Sequence, residues 1–368
     1  MVLPLPDAPH MEHLKAQAKS LRESILSGDA AAVDRLTRTH PRYSGLSRDS
    51  ISDVPLTHAQ LVIAREYGFA SWQKMRDYVD DLYHPDVPAA WAAVEGGDLS
   101  TVRKLLDRRP SLISVRNDRH TLLHHAAARN QPEIVRVLLD RGAEIDALNR
   151  HPDNPDPDRI WTPLHFGASM GSMEAVRVLL DAGARTDIGG ATGETALAAA
   201  LFYGHAEIGD LLAARQLLPD NLRIAAGLGR IDLMERHVAP DGLLRPSAFV
   251  GRQFYRPHEG FPDWTPSADA NEVMGEALTY AFRNSRVEAA DWLLARGVEI
   301  DARPYRGSSS LHWCAMIGNR PMIELLLERG ADRTLVDDFY HGIAAGWAYY
   351  NGHPELAPLM SVDEEPVR

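Results

Sequence analysis

The sequence predicts an all-α repeat solenoid, and three observations lead there. Three segments of the 368-residue chain align with one another: HTLLHHAAARNQPEIVRVLLDRGAEID from His120, WTPLHFGASMGSMEAVRVLLDAGARTD from Trp161 and SSLHWCAMIGNRPMIELLLERGADRTL from Ser309. The leucine that opens each segment's first helix belongs to a ladder of Ala90, Leu123, Leu164, Leu197, Leu222, Leu278, Leu311 and Ala345, spaced by 33, 41, 33, 25, 56, 33 and 34 residues. Seven residues after each rung stands a helix break: Gly97, Asn130, Gly171, Gly204, Gly229, Ser285, Gly318 and Gly352. A recurring period of this size marks stacked supersecondary units.

Each unit makes physical sense as a helix pair. In EAVRVLLDAG the apolar Val176, Val178, Leu179 and Leu180 share one helical face. Gly183 follows at the C-cap, where a positive φ is needed. Gly167 and Ala168 are small, which lets neighbouring helices approach closely. One such unit cannot bury its apolar face alone, whereas a stack of them forms a one-dimensional core.

The TPLH of Trp161–His165 and its relatives TLLH and SSLH resemble the ankyrin repeat, whose signature is T-P-L-H-x-A with a period of 33. The resemblance covers residues 85–361. It implies an all-α ankyrin-repeat solenoid of about eight repeats, with irregular finger insertions and an N-terminal helical cap. It also implies a scaffold that mostly binds proteins, although a fold by itself does not fix a function.

Taken in chain order, residues 1–84 are expected to form a helical extension. HMEHLKAQAKSLRESILSGDAAAVDRLTRTHP reads as two helices broken at Ser27-Gly28-Asp29, and LTHAQLVIAREYGFASWQKMRDYVDDL as two more, with Thr57 and Ser71 as N-caps. The stretch AQLVIAREYGFASW, together with YRPHEGFP and PYRG further on, resembles a group of bacterial ankyrin-repeat proteins. Residues 85–361 are the repeats, interrupted by insertions at 150–159 and 239–271, and 362–368 form a tail. The spacing of 25 marks a shortened connection at LLAARQLLPD. Both insertions fall between one repeat's second helix and the next repeat's first. That is the finger position of an ankyrin array, and insertions in solenoids gather on one face, often the binding face.

Composition narrows the partners. The formal charge of −12, with no basic cluster, argues against nucleic acid. No apolar run approaches the length of a membrane helix, and the N-terminus does not read as a secretory signal. The single cysteine, Cys314, excludes an intramolecular disulfide and a multi-cysteine zinc site. A cytoplasmic setting follows as an expectation. No cofactor and no metal site are expected: H-E-x-x-H spacing is absent, and the glycine-rich GGATGET lacks a P-loop lysine. His124, His165 and His312, at the TPLH position, are expected to tie adjacent turns together. Cys314 is expected to be a buried small hydrophobe.

In the ankyrin pattern the fifth and sixth residues after each rung face the concave side. The middle of that row is apolar: Met170, Phe202, Tyr203, Leu228, Met316 and Ile317, with Arg129 and Arg283 also in the row. An exposed apolar patch usually marks a binding site or is covered. The insertion FYRPHEGFPDW, Phe254 to Trp264, is expected to lie over it. Two readings result. In the first, the groove and fingers bind a protein segment or other partner. In the second, a pocket between insertion 239–271 and the central first helices holds a small apolar or acidic ligand, or serves an enzyme acting on a carbonyl or carboxylate. Its convergent polar groups would be Tyr255, Arg256, His258, Trp264, Phe202, Tyr203, Met170, His125, Arg129, Arg283, Arg252 and Arg306. His258, Asp263 and Tyr203 would carry acid/base chemistry, and the arginines would clamp a carboxylate or pair internally to hold the loop.

Overall fold

The structure, a computed structural model, describes residues 9–47, 50–51, 53–117, 120–149, 161–189, 195–252, 265–305 and 307–361. Contacts within the chain define two compact units. One comprises Met1–His125, Arg136–Glu144 and Asn149–Asp156; the other comprises Ala126–Val135, Ile145–Leu148 and Pro157–Arg368.

The first unit opens with α1 (Met11–Leu26), α2 (Ala30–Thr39), α3 (Leu56–Glu66) and α4 (Trp72–Leu82). Their heptad-like apolar residues, including Leu14, Leu21, Leu36, Val62, Ile63 and Met75, form one buried cluster. Asp29 caps α2 by accepting from the Ala32 amide at 2.8 Å. Arg35 joins α2 to α3 through a two-bond pair with Glu66. Next come α5 (Asp86–Glu95), α6 (Leu99–Arg108) and a two-residue hairpin, β1 (Arg116–Asn117) and β2 (His120–Thr121). The division between the units runs through α7 (Leu122–Ala128) and α8 (Pro132–Asp140).

The second unit continues with α9 (Pro163–Ser169), α10 (Met173–Asp181), α11 (Ala196–Phe202), α12 (Ala206–Ala213), α13 (Leu222–Gly227) and α14 (Ile231–Met234). After the long insertion come α15 (Ala270–Arg283), α16 (Val287–Leu294), α17 (Ser310–Met316), α18 (Arg320–Glu328), α19 (Ala344–Tyr350) and α20 (Ala357–Met360). First helices pack on first helices: α9 on α11, α13 on α15, α15 on α17 and α17 on α19.

The ladder maps onto these pairs. Its rungs lie in α5, α7, α9, α11, α13, α15, α17 and α19, and all are buried. All eight breaks have φ between +51° and +87°, including the non-glycines Asn130 and Ser285. That left-handed conformation lets the chain leave the first helix in a tight turn. Leu179 has no exposed surface. A Cβ on Gly167 would stand 3.0 Å from Val176 Cγ2, so α9 and α10 approach closely there and a larger residue would push the Val176 side chain aside.

The histidines of the turn motif are structural. Thr162 and His165 make a reciprocal capping box at α9, and Ser309 and His312 make another at α17. The Ser309 amide donates to His312 Nδ1, which leaves the proton on Nε2, 3.2 Å from the Gly342 carbonyl of the next repeat. Burial holds the His312 imidazole below its usual pKa, consistent with this neutral tautomer.

Two repeats depart from the ideal. The second helix of the fifth pair, α14, has only four residues. By contrast α15, the next first helix, has 14, twice the length of α9, α11 or α17. The expected insertion 239–271 therefore ends inside this helix, whose first turn is capped by Asp269 accepting from the Asn271 amide. From Val273 to Arg283 every residue of α15 is buried, so only its first turn meets solvent.

Gly204 follows α11 with φ +75°, and a Cβ there would stand 3.0 Å from the Arg283 carbonyl oxygen. Backbone cannot yield as a side chain can. Gly204→Ala is expected to lower stability by about 1–3 kcal/mol. A urea midpoint equal to wild type would show that α11 and α15 do not need this approach.

Candidate binding face

The row of concave positions divides by exposure. Its ends are open: Met170 is 63% exposed, Tyr350 89% exposed, and Arg129 lies on the surface. Its middle is closed. Phe202, Leu228, Arg283 and Asn284 are buried, and Tyr203 is half-buried against the Phe202 ring at 5.1 Å. Phe202 and Arg283, expected on a ligand-facing groove, are thus interior groups. The buried α15 accounts for this, because its C-terminal residues cap its neighbour. Arg283 Nη1 donates to the Phe202 carbonyl at 2.7 Å, and Asn284 Nδ2 donates to the Leu201 carbonyl at 2.8 Å. Arg283 thereby serves a carbonyl at the C-terminus of α11, and Asn284 adds a second donor to the Leu201 carbonyl, which also accepts from the Gly204 amide at 3.3 Å.

Around α15 lies a buried charged cluster. Arg252 is bonded to Glu276, with Nε 2.9 Å from Oε1, and its Nη2 lies 2.6 Å from Glu272 Oε1. Arg223 Nη1 stands 3.8 Å from Glu276 Oε2, and its Nη2 donates to the Gly251 carbonyl at 3.0 Å. Asn221, the N-cap of α13, donates to the same carbonyl at 2.9 Å. Residues 250–252, the described start of the insertion's central part, are therefore pinned across α13 and α15. Burial pushes the Glu276 carboxyl up in pKa, while Arg252 and Arg223 pull it down. Arg252 spends its donors on these internal carboxylates rather than on a ligand.

Sequence reasoning passed over Glu276 and Arg223, although the ladder marks both. Glu276 stands two before its rung, where Thr162, Thr195 and Ser309 stand in other repeats, and Arg223 stands one after, where His165 and His312 stand. A charged residue in a motif position held elsewhere by a capping group was the available signal.

The remaining expected residues scatter. His125 lies in the first unit, part-buried and edge-on to Trp91 at 4.8 Å. Tyr255, Arg256, His258, Asp263, Trp264 and Arg306 lie outside the described residues, as does the stretch Phe254 to Trp264. Cys314 is buried, and burial pushes its thiol up to about 12, which makes it inert. Among the described residues no cluster of His, Cys, Asp or Glu is arranged to hold a metal ion, and no helix is long and apolar enough to cross a membrane.

The open end of the row carries a cavity of about 470 Å³ lined by Met316, Tyr340, Trp347, Tyr350 and Asn351, with two glycines. Its wall is built by Asp337. This buried carboxylate accepts from the backbone amides of Phe339, Tyr340 and Gly342 and from Trp347 Nε1 at 2.6–3.0 Å. Burial opposes ionisation of Asp337, but these bonds outweigh it and hold the carboxyl below its usual range. The loop is thus fixed, and it presents Tyr340, about half exposed, beside the exposed Tyr350.

Residues 123–180 and 278–327 match a family model of ankyrin repeats in many copies, and residues 69–149 match one of three ankyrin repeats. Among similar proteins, XBAT31 of Arabidopsis thaliana is 43% identical over 67 residues, 18% of this chain and 15% of its own length. E3 ubiquitin-protein ligase XB3 of Oryza sativa subsp. japonica is 43% identical over 65 residues, 17% and 14%. Calmodulin-binding transcription activator 4 of Arabidopsis thaliana is 38% identical over 74 residues, 19% and 7%. The matches thus span no more than 15% of these relatives' own length. The human ASB11 ankyrin repeat domain aligns with 76% of this chain and 99% of its own, at 19% identity and a TM-score of 0.35. The fold is an all-α ankyrin-repeat solenoid.

Proposed function

From an ankyrin-repeat solenoid whose concave row is closed in the middle and open at the end, we propose a recognition protein. It binds a protein segment at the C-terminal end of that row, with residues 1–84 serving as a helical cap and the cytoplasm as its setting. The observation that carries this reading is the aromatic cavity lined by Tyr340, Trp347, Tyr350 and Met316. Exposed tyrosine beside a preformed apolar cavity is the chemistry of an interface hot spot, and the hydrogen-bonded Asp337 loop reduces the ordering cost of binding. The inert thiol and the largely structural histidines favour recognition over catalysis.

The test is selection of peptides on the full chain from a displayed random library. Tyr350→Ala is expected to weaken the selected peptides at least tenfold while leaving stability within about 0.5 kcal/mol, since the side chain is exposed. Peptides that bind Tyr350→Ala as well as wild type would remove the cavity from the interface.

A further inference from the structure

The cavity at the open end of the row has a negative charge built into its wall. Asp337 is 1% exposed. It accepts from the amides of Tyr340 and Gly342 and from Trp347 Nε1, so its carboxylate stands directly behind three residues that line the cavity. Those bonds hold the carboxyl below its usual range, and it is ionised at neutral pH. Every donor to it is a neutral N–H group, and among the described residues no arginine or lysine pairs with it. Arg303, from the preceding finger, spends Nη2 on Asp338 and the Val336 carbonyl and Nε on the Gly307 carbonyl. Burial keeps His312 below its usual pKa and so neutral. A charge in a water-poor wall is weakly screened, and its field reaches into the cavity beside it.

The cavity's own surface has the same sign. The Tyr340 and Trp347 rings meet at 5.7 Å and 80°, forming a corner, and Tyr350 adds a third ring. Aromatic faces are electron-rich and attract cations. The indole N–H given to Asp337 polarises the Trp347 ring in the same sense. At the rim, Asn351 donates Nδ2 to the Trp347 carbonyl at 2.9 Å. Its Oδ1 remains an acceptor that no donor among the described residues occupies. No described residue lining the cavity is basic.

We propose that the segment bound here is anchored by an arginine, whose guanidinium enters the cavity against the aromatic rings and donates to Asn351 Oδ1. The inference rests on the cavity being the interface and adds the chemistry of the partner. An apolar anchor would suit the rings but leave the Asp337 charge without a counter-ion, and an acidic one would be repelled by it. Arginine is favoured over lysine for two reasons. Its planar group stacks on rings while its edge donates hydrogen bonds, and it gives up water more readily than an ammonium. A volume of about 470 Å³ has room for it.

The test follows the indole N–H resonances of the nitrogen-15-labelled full chain during titration with Nα-acetyl-arginine methylamide and with Nα-acetyl-citrulline methylamide. The two probes share a shape, and only the first is charged. The arginine derivative is expected to shift an indole resonance saturably, and the citrulline derivative to bind at least tenfold more weakly. The lysine derivative is expected to bind at least threefold more weakly than the arginine one. Tyr350→Ala is expected to weaken the arginine derivative at least fivefold. Asp337→Asn, which removes the charge, is expected to abolish the preference over citrulline. No saturable shift with the arginine derivative, equal affinity for citrulline, tighter binding of lysine, or an unchanged preference in a folded Asp337→Asn would overturn the inference. If Asp337→Asn fails to fold, the comparison of probes on the wild-type chain decides. Equal affinity for arginine and citrulline, with both lost in Tyr350→Ala, would remove the charge from recognition and keep the cavity as the interface. Library peptides that ignore Tyr350→Ala would instead remove the interface itself.

Discussion

Glu276→Ala is expected to destabilise the protein by about 3–5 kcal/mol, the usual cost of breaking a buried pair from one side. The carboxylate is fully enclosed and takes bonds from Arg252, with Arg223 beside it. Removing it leaves two guanidiniums near each other in the interior, with Glu272 as the remaining carboxylate among the described residues. Glu276→Gln, which keeps the shape and removes the charge, is expected to lose a large part of the same stability. Urea denaturation followed by circular dichroism measures both. A loss under 1 kcal/mol in Glu276→Ala would mean that water reaches the cluster, and that α15 does not depend on its charges.

Trp313→Ala is expected to cost a similar amount, about 3–5 kcal/mol. The Trp313 ring is completely buried and packs edge-to-face with Phe202 at 5.4 Å, Tyr305 at 6.0 Å and Trp347 at 5.3 Å. It also lies under the Arg283 guanidinium at 4.0 Å. The substitution therefore opens a cavity and strips Arg283 of its nearest aromatic face. A double-mutant cycle with Arg283→Met separates the two effects, because only the second depends on the arginine. Strict additivity would show that the cation and the ring are neighbours without mutual stabilisation.

These two side chains also show where the sequence was legible. Trp313 was visible as the position after the turn histidine, in register with His125 and Phe166. Glu276 was equally visible as a departure from the motif, but motif reasoning looks for agreement, and a lone carboxylate in a helix is usually solvated. Its burial depends on α13, α17 and the start of the insertion closing around α15, and no local property of the sequence reports that.

The period of about 33, the break residues and the apolar helix faces determined the repeat fold by themselves. Each is a short-range requirement: a rung leucine, a left-handed break and small residues at a helix contact are met within one unit or between neighbours. Exposure along the concave row was decided only by tertiary structure. Phe202 and Arg283 occupy positions equivalent to that of Tyr350, yet the first two are buried and the last is open. The difference is seen where Arg283 and Asn284, at the C-terminal end of α15, close on the end of α11. Which of several equivalent positions faces solvent depends on what packs over it from distant parts of the chain, and a periodic sequence pattern carries no record of that.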